Sequence, residues 1–406
     1  MRLDTKAMRY LSAEDWRTLT AVETGSRNHE VVPTPLIAQI SGLRGGVHKN
    51  ISALAKIGLI ARLKNAKYDG YRLTYGGLDY LSLNTYRKRK DVYSVGNQIG
   101  VGKESDIFVV ADEKGVQRVL KIHRLGRISF RTVKANRDYL RHRPAGSWMY
   151  MSRLAALKEF TFMKALRENG FPVPEPLAQS RHTIVMSLID AFPMRQVASV
   201  PDPAGLYAEL ISMILRLAQY GLIHGDFNEF NILIKEEYNS EDPKDQQPEN
   251  VILTPILIDF PQMVSVDHAN AEYYFDRDVN CIKRFFQRRF QFTSDEKGPS
   301  FAEARKLIGK GGNPRLDVAV AASGFSKKMA KDLESYMKEV GVDGDGDPDA
   351  ARGDEDEDED EEDDEDEDGE DKVDVEEEAD GDDMQAHNQI SAAEISLSTL
   401  QIKDQT

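Results

Sequence analysis

The fold class is decided by the stretch Ile-His-Gly-Asp-Phe-Asn-Glu-Phe-Asn-Ile-Leu-Ile, residues 223–234. It places a carboxylate, Asp226, five residues before a carboxamide, Asn231, and an apolar triplet follows directly. A second carboxylate, Asp259, lies within another apolar run, Pro-Ile-Leu-Ile-Asp-Phe-Pro. The alternative to a functional site is a plain turn at Gly225-Asp226 between two core strands.

Phosphoryl transfer is the chemistry that suits these three side chains. That reaction needs a group that orients the acceptor oxygen and hard oxygen ligands for magnesium on the phosphates. Asp226 can do the first, and Asn231 and Asp259 can do the second. Their order and spacing match a kinase catalytic loop with a downstream metal-binding aspartate. We therefore predict that Asp226 is catalytic and that Asn231 and Asp259 are magnesium ligands.

Composition indicates a basic body joined to an acidic tail. The chain has 406 residues, which suits two or three domains. Residues 343–383 hold 28 Asp and Glu, whereas the first 342 residues carry a net charge of +11. This asymmetry suggests a polyanionic partner. The chain has no apolar run of about 18 residues and no apolar signal region, so we expect no membrane association. A lone cysteine, Cys281, fits a reducing cytosolic or nuclear compartment.

Residues 1–90 are predicted to form a winged-helix domain. Helices should begin near Ser12 and Pro35 and cover 47–57, followed by strands at 59–63 and 71–74 joined at Asp69-Gly70. Residues 86–90 form a basic joint, which could be a nuclear localisation patch, a phosphate contact or a solvated linker. The third helix of this fold commonly enters a nucleic-acid groove. We expect nucleic-acid contacts at His48, Lys49, Asn50 and Ser52 on the helix and at Lys64 and Lys67 on the wing. The alternative is a protein-binding or structural winged helix.

Residues 91–189 are predicted to be the N-lobe of a two-lobed, kinase-like domain. Strands are expected at 92–99, 107–111 and 117–123, with a glycine-containing loop after the first. Glycines in such a loop permit close approach to phosphate. The loop alone is weak evidence, because the third glycine of G-x-G-x-x-G is missing. The loop residues predicted to contact a nucleotide are Gly100, Gly102, Lys103, Glu104 and Ser105.

The stronger signal in this lobe is Lys121, a lone lysine on an apolar strand. A lysine in this place pairs with nucleotide phosphates and with a helix glutamate, here predicted to be Glu159 on a helix over 148–169. A lysine that snorkels from the core edge is the alternative. An apolar strand is predicted at 182–189, and its residues 184–189 should be the interlobe hinge, with Met186, Ser187 and Ile189 next to the adenine ring.

Residues 124–147 form a basic insert, predicted to be flexible, in which Arg127, Arg131 and Lys134 are candidates for RNA contact. A mobile loop over the nucleotide and a plain surface loop are the alternatives. Residues 190–340 are predicted to be the C-lobe, with helices over 203–220, 267–290, 301–308 and 325–340. No activation segment is recognisable at 291–300. Residues 341–406 are predicted to be a disordered acidic tail ending in a short apolar segment. The fold class is therefore α+β.

Taken together, these motifs resemble the RIO-type atypical protein kinases, and within them the branch with an N-terminal winged helix. The residues that carry the resemblance are Gly-Lys-Glu-Ser-Asp-Ile at 102–107, His-Gly-Asp-Phe-Asn-Glu-Phe-Asn at 224–231 and Ile-Asp-Phe-Pro-Gln at 258–262. It covers about residues 1–310. Asp226 matches the family's catalytic aspartate, Asn231 and Asp259 its metal ligands, and Lys121 its nucleotide lysine. The resemblance also implies that Asp259 is a transient phosphate acceptor.

The resemblance further implies an ATP- and Mg2+-dependent serine/threonine kinase in which ATP hydrolysis acts as a release switch. Expected partners are the pre-40S ribosomal particle, ribosomal RNA and assembly factors. A monomer in the cytoplasm, with shuttling to the nucleus, is expected. Two alternatives stay open. A small-molecule phosphotransferase of the aminoglycoside or choline type shares the His-Gly-Asp loop, and a non-catalytic RNA-binding scaffold could sense ATP without turning it over.

Overall fold

The structure is a computed structural model that describes residues 3–63, 69–125, 146–238, 251–309, 312–322, 325 and 327–340. Several sequence predictions lie outside these residues. They are the nucleic-acid candidates Lys64, Lys67, Arg127, Arg131 and Lys134, residues 126–145 of the basic insert, and the tail 341–406.

The N-terminal domain has the predicted order of three helices and a hairpin, with one further helix. Its elements are a 3-10 helix at Lys6–Arg9, α1 (Ala13–Gly25), α2 (Thr34–Ser41), α3 (Val47–Lys56), β1 (Ile60–Leu63), β2 (Gly70–Leu73) and α4 (Tyr75–Arg89). α1 begins at a capping box in which Ser12 and Asp15 satisfy each other's backbone N–H groups, as the sequence indicates. α3 buries Val47, Ile51 and Leu54 against α1.

Two predictions for this domain were wrong. Asp69-Gly70 is not the hairpin turn, because Gly70 already pairs with Leu63 inside the hairpin. Gly70 is needed for space, since a Cβ there would lie 2.6 Å from the carbonyl oxygen of Val32. The solvated-linker interpretation of residues 86–90 was also wrong, because this segment is the end of α4, which closes on Lys90 in a left-handed conformation.

α4 ties the N-terminal domain to the kinase-like domain. Its buried Asp79 accepts hydrogen bonds from Arg124 Nη1 and Nη2 at 2.9 and 2.7 Å and lies 2.8 Å from His182 Nε2. Arg124 Nε also donates to Asp106 at 3.1 Å. Charges are rarely buried unless they are paired in this way. Arg124 and Leu125 are therefore fixed core residues, and the insert does not begin at residue 124 as predicted.

The N-lobe is a five-stranded antiparallel sheet in the order β3-β4-β5-β7-β6, with one long helix packed against it. Its elements are β3 (Ser94–Val101), β4 (Ser105–Ala111), β5 (Gln117–His123), α5 (Gly146–Glu168), β6 (Pro176–Ser180) and β7 (Thr183–Ser187). The three predicted strands and the predicted helix are present. β6 was missed, because prolines 172, 174 and 176 favour an irregular extended segment.

The C-lobe combines two small sheets with a helical core. Its elements are β8 (Phe192–Pro193), a 3-10 helix at Met194–Gln196, α6 (Pro203–Gln219), β9 (Leu222–Ile223), β10 (Ile232–Tyr238), β11 (Val251–Leu257), β12 (Val264–Ser265), α7 (Ala271–Phe290), α8 (Phe301–Arg305), α9 (Leu316–Ala322) and α10 (Lys327–Val340). The sheet orders are β11-β10-β8 and β12-β9. Only residues 260–270 separate Asp259 from α7, so no peptide-docking activation segment follows it.

The predicted α+β architecture is thus confirmed. α9 and the two-residue strands were missed because they are too short for a periodic pattern. No helix in the described ranges is both long and apolar enough to cross a bilayer.

Candidate active site

The turn between β9 and β10 presents Asp226 at the opening between the lobes. Gly225, at φ 78°, allows the sharp turn, because few other residues adopt that backbone conformation. The Asp226 carboxylate accepts hydrogen bonds from Asn228 Nδ2 at 2.8 Å and from Asn231 Nδ2 at 2.6 Å. Asn231 Nδ2 also reaches the carbonyl oxygen of Asp226 at 2.9 Å. These contacts fix the Asp226 carboxylate and direct the amide nitrogen of Asn231 towards it.

Burial raises the pKa of Asp226 to about 6, and the negative charge of Asp259 adds to the effect. A carboxyl whose pKa lies near neutrality can take a proton from an acceptor hydroxyl or from water and release it again. The neighbouring His224 is fully buried, its pKa is lowered to about 4 by that burial, and its Nδ1 accepts the backbone N–H of Asp226 at 3.3 Å. The neutral imidazole packs edge-on against Phe227 and Phe260 and braces the loop.

Asp278 on α7 fixes the backbone of this loop through hydrogen bonds. The sequence did not lead to a prediction for this residue. Its Oδ2 accepts the N–H of Gly225 at 2.9 Å and its Oδ1 the N–H of Phe227 at 3.0 Å, so the two bonds flank Asp226. Burial raises the pKa of Asp278 to about 7. The sequence does indicate this residue, because Asp278 lies on the same helix face as the apolar residues Phe275, Val279 and Ile282. An acidic residue among buried apolar ones usually has a specific partner.

Lys121 contacts acidic residues of both lobes, Glu159 of the N-lobe and Asp259 of the C-lobe. Its Nζ is 2.8 Å from Glu159 Oε1 and 2.8 Å from Asp259 Oδ1. The predicted Lys121–Glu159 pair is therefore present, and His123 Nε2 lies 2.9 Å from the other oxygen of Glu159. Burial alone would raise the pKa of Glu159, but the charge of Lys121 and the contact with His123 outweigh it and lower the pKa to about 2. Burial would lower the pKa of Lys121, but Asp259 and Glu159 raise it.

Asp259 follows β11 with φ 68°, in a left-handed conformation that is unusual outside glycine. Backbone outliers of this kind cluster at functional sites. The side chain remains 40% exposed while its Oδ1 contacts Lys121. The predicted magnesium ligand Asp259 and the predicted nucleotide lysine Lys121 thus lie within hydrogen-bonding distance, although 138 residues separate them in the chain.

The glycine-containing loop lies next to Lys121 through the pairing of β4 with β5. Gly102 N donates to Ser105 O at 2.7 Å, and a Cβ at Gly102 would lie only 3.3 Å from that oxygen, so the turn favours glycine. β4 then pairs with β5, which places Ser105 opposite His123, two residues from Lys121. Lys103 is exposed and Glu104 half-buried. Burial, with help from the charge of Asp259, raises the pKa of Glu104 to about 8.

The predicted hinge residues lie at the end of β7, where this strand pairs with β5. Met186 is buried in the core opposite Val119, and Ile189 is half-buried beyond the strand end. Ser187 N donates to Glu175 O at 3.0 Å, and Ser187 Oγ accepts the N–H of Glu175 at 2.9 Å. The N–H of Ser187 and one acceptor position of its hydroxyl are thus used within the protein, and its contact with adenine stays a prediction.

The donor set fits magnesium held jointly with phosphate oxygens. Asn231 uses its nitrogen for Asp226, which leaves its carbonyl oxygen for a cation, and Asp259 supplies a carboxylate. Within the described residues there is no group of three His, Cys, Asp or Glu that could hold a metal alone. Mg2+ typically takes one or two protein oxygens together with substrate phosphates and water.

The candidate nucleic-acid face of α3 is partly corrected. His48, Lys49 and Ser52 are exposed on one side of the helix, as predicted. Asn50 is 6% exposed, and its Nδ2 lies 3.5 Å from Thr18 Oγ1 on α1, so its placement on the reading face was wrong. In a helix a residue three positions after a buried one shares its face, and Asn50 follows Val47 at that distance.

Comparison with known families agrees with this architecture. A family model described as "RIO domain" matches residues 106–241 and 248–298, and one described as "Rio2, N-terminal" matches residues 8–89. The chain belongs to the Rio2 branch of the RIO kinases. The serine/threonine-protein kinase rio2 of Schizosaccharomyces pombe is 56% identical over 340 residues, which cover 84% of this chain and 93% of that protein. RIO2 of Saccharomyces cerevisiae is 50% identical, over 82% of this chain and 79% of that protein.

Solved Rio2 structures include the kinase from Chaetomium thermophilum in an ADP/Mg2+-phosphoaspartate complex. It is 72% identical to this chain, covers 84% of it and 99% of its own length, and superposes with a TM-score of 0.77. Asp226, Asn231, Asp259 and Lys121 thus converge at the interlobe opening of a Rio2-type fold.

Proposed function

We propose that this chain is an Mg-ATP-dependent atypical serine/threonine kinase and ATPase that acts in maturation of the small ribosomal subunit. The observation that carries the phosphotransfer assignment is the convergence of Lys121, Asp226 and Asp259 at one opening, with Lys121 braced by Glu159. Lys121 would hold the nucleotide phosphates, with the loop from Gly100 to Ser105 covering them. Asn231 and Asp259 would hold Mg2+, which neutralises phosphate charge when bound.

Asp226 would orient the nucleophile and accept its proton, and the raised pKa suits that role. The phosphoaspartate in the Chaetomium thermophilum structure suggests a two-step route for this chain. An oxygen of the Asp259 carboxylate would attack the γ-phosphorus of ATP, and the bond to the bridging oxygen of ADP would break. Water, deprotonated by Asp226, would then cleave the acyl phosphate and restore the carboxylate.

The ribosomal assignment, with pre-40S particles, ribosomal RNA and assembly factors as partners, is supported by the winged-helix domain and by the net charge of +11 on residues 1–342. Turnover of ATP would release the protein from RNA. A monomer that works in the cytoplasm and shuttles to the nucleus fits this role.

A single-turnover assay with γ-labelled ATP tests the proposal. We expect label first on the protein and then as free phosphate, with Asp259→Asn abolishing the labelled species. Asp226→Ala should bind nucleotide normally and turn over at least about 100-fold more slowly. Wild-type turnover in Asp226→Ala would refute the assignment. Turnover that rises only with an added small-molecule acceptor would instead favour the metabolite phosphotransferase.

A further inference from the structure

A cleft of about 680 Å³ lies outside the nucleotide site, between the N-terminal domain and the helix that bears Glu159. Its lining comes from the segment that follows α1, with Arg27 and His29, and from the start of α5, with Tyr150 and Arg153. Leu78 of α4 and Met149 supply apolar surface. The volume is in the range of pockets that hold drug-sized ligands or single nucleotides.

Contacts among the elements that surround this cleft hold them in place. Arg181 Nε and Nη2 contact the two carboxylate oxygens of Glu23 at 2.6 and 2.7 Å. The rings of Tyr75 and Trp148 lie 3.8 Å apart and link α4 to the first turns of α5. A preformed site avoids the ordering cost that weakens binding to a mobile surface.

The arginine side chains and the tyrosine ring of the cleft indicate which ligand it binds. Arg181 pairs with Glu23, which leaves two arginines, Arg27 and Arg153, against the single acid Glu30 among the lining residues. No ion pair joins Arg27 or Arg153 to another residue of the described ranges, and both side chains are exposed. Arginine binds phosphate in a bidentate manner. Tyr150 is 43% exposed at the same place, and an exposed aromatic ring is the usual platform for an unpaired base.

We propose that this cleft binds a nucleotide of single-stranded RNA, with the base stacked on Tyr150 and the phosphates on Arg27 and Arg153. An acidic peptide would use the two arginines but would have no need of the ring. The choice of RNA rather than another nucleic acid rests on the proposed function. The cleft is separate from the predicted reading face of α3, which carries His48 and Lys49.

The test is equilibrium binding of a fluorescein-labelled eight-nucleotide uridine-rich RNA to the full-length protein, without ATP. Tyr150→Ala should weaken binding roughly fivefold to 100-fold through lost stacking, with an unchanged salt dependence. Tyr150→Phe should retain wild-type affinity. Arg153→Ala should weaken binding and also reduce the slope of log K against log salt by about 0.7, the value for one phosphate contact on a single strand.

Exposed residues elsewhere provide the matched controls, Tyr93→Ala for the ring and Arg305→Ala for the charge. Thermal unfolding of each variant checks that the fold is retained. RNA affinity that is indifferent to Tyr150→Ala, or absent in the wild type, overturns the proposal. So does tighter binding of an acidic peptide of residues 354–368 that ignores Tyr150→Ala. Because the assay contains no ATP, such a failure leaves the single-turnover result for Asp226 and Asp259 unaffected.

Discussion

Asp278 should decide whether the catalytic loop keeps its shape, and its replacement is the sharpest test of the active-site geometry. The carboxylate accepts the N–H groups of Gly225 and Phe227, on either side of Asp226. Asp278→Ala leaves both donors buried without a partner. Asp278→Asn keeps one acceptor oxygen, but its amide –NH2 group would face the second N–H, so one bond is lost and a donor meets a donor.

The expected loss in the free energy of unfolding follows from these two hydrogen bonds. A buried donor without a partner costs about 1–3 kcal/mol. Asp278→Ala should therefore lower the free energy of unfolding by about 2–6 kcal/mol, and Asp278→Asn by roughly half of that. If the loop instead relaxes locally, the Asp226 carboxylate moves. A displacement of about 1 Å can reduce the rate about 100-fold.

The assay separates nucleotide binding from turnover. Lys121 and Glu159 lie on β5 and α5, away from the altered contacts, so the Kd for Mg-ATP should stay at the wild-type value while the single-turnover rate falls. Asp276→Ala, on an exposed position of the same helix, is the matched control and should behave as the wild type. Wild-type turnover in Asp278→Ala would refute the view that Asp278 positions Asp226.

The pH dependence of stability gives a second readout for Asp278. Burial raises its pKa from 3.8 to about 7 in the folded protein. The folded state therefore holds the proton more tightly than the unfolded state, and the stability from this group is lost as pH rises from about 4 to about 7. The free energy of unfolding of the wild type, relative to that of Asp278→Asn, should fall over that interval. A rising difference would contradict the assigned direction.

Three further outcomes are expected. Because burial and Asp259 raise the pKa of Asp226 to about 6, kcat/KM should climb tenfold per pH unit below about 6 and level off above it, in an ATPase pH profile. Lys121→Met should weaken Mg-ATP binding in calorimetry without unfolding the protein at 25 °C, since Glu159 keeps its contact with His123. Asp79→Ala strands buried Arg124 and should lower stability in urea titrations by about 3–5 kcal/mol.

The grouping of Asp226, Asn231 and Lys121 could be predicted because each signal lies within one turn or one strand. Asp226 and Asn231 lie on one turn, and Lys121 stands alone on an apolar strand, which signals a buried charge with a dedicated partner. The fold class followed from the same elements, since the glycine loop, the lysine strand and the catalytic loop occur in a fixed order.

Other features depended on tertiary contacts that no short pattern reveals. The exposed or buried state of Asn50 is set by α1, through Thr18. α4 escaped prediction because its apolar, polar and glycine residues show no clear helical stripe, and both of its faces are covered in the structure. Arg124 reads as the first residue of a basic run, but Asp79 and Asp106 convert it into a core residue.

The winged-helix and kinase-like domains are distinct in the sequence, but buried side chains join them in the structure. β5 carries Lys121, which contacts Asp259, and three residues later the chain reaches Arg124, which contacts Asp79 of α4. Breaking a buried pair of this kind costs about 3–5 kcal/mol. The N-terminal domain is therefore joined to β5, the strand that bears Lys121, by a buried ion pair as well as by the chain.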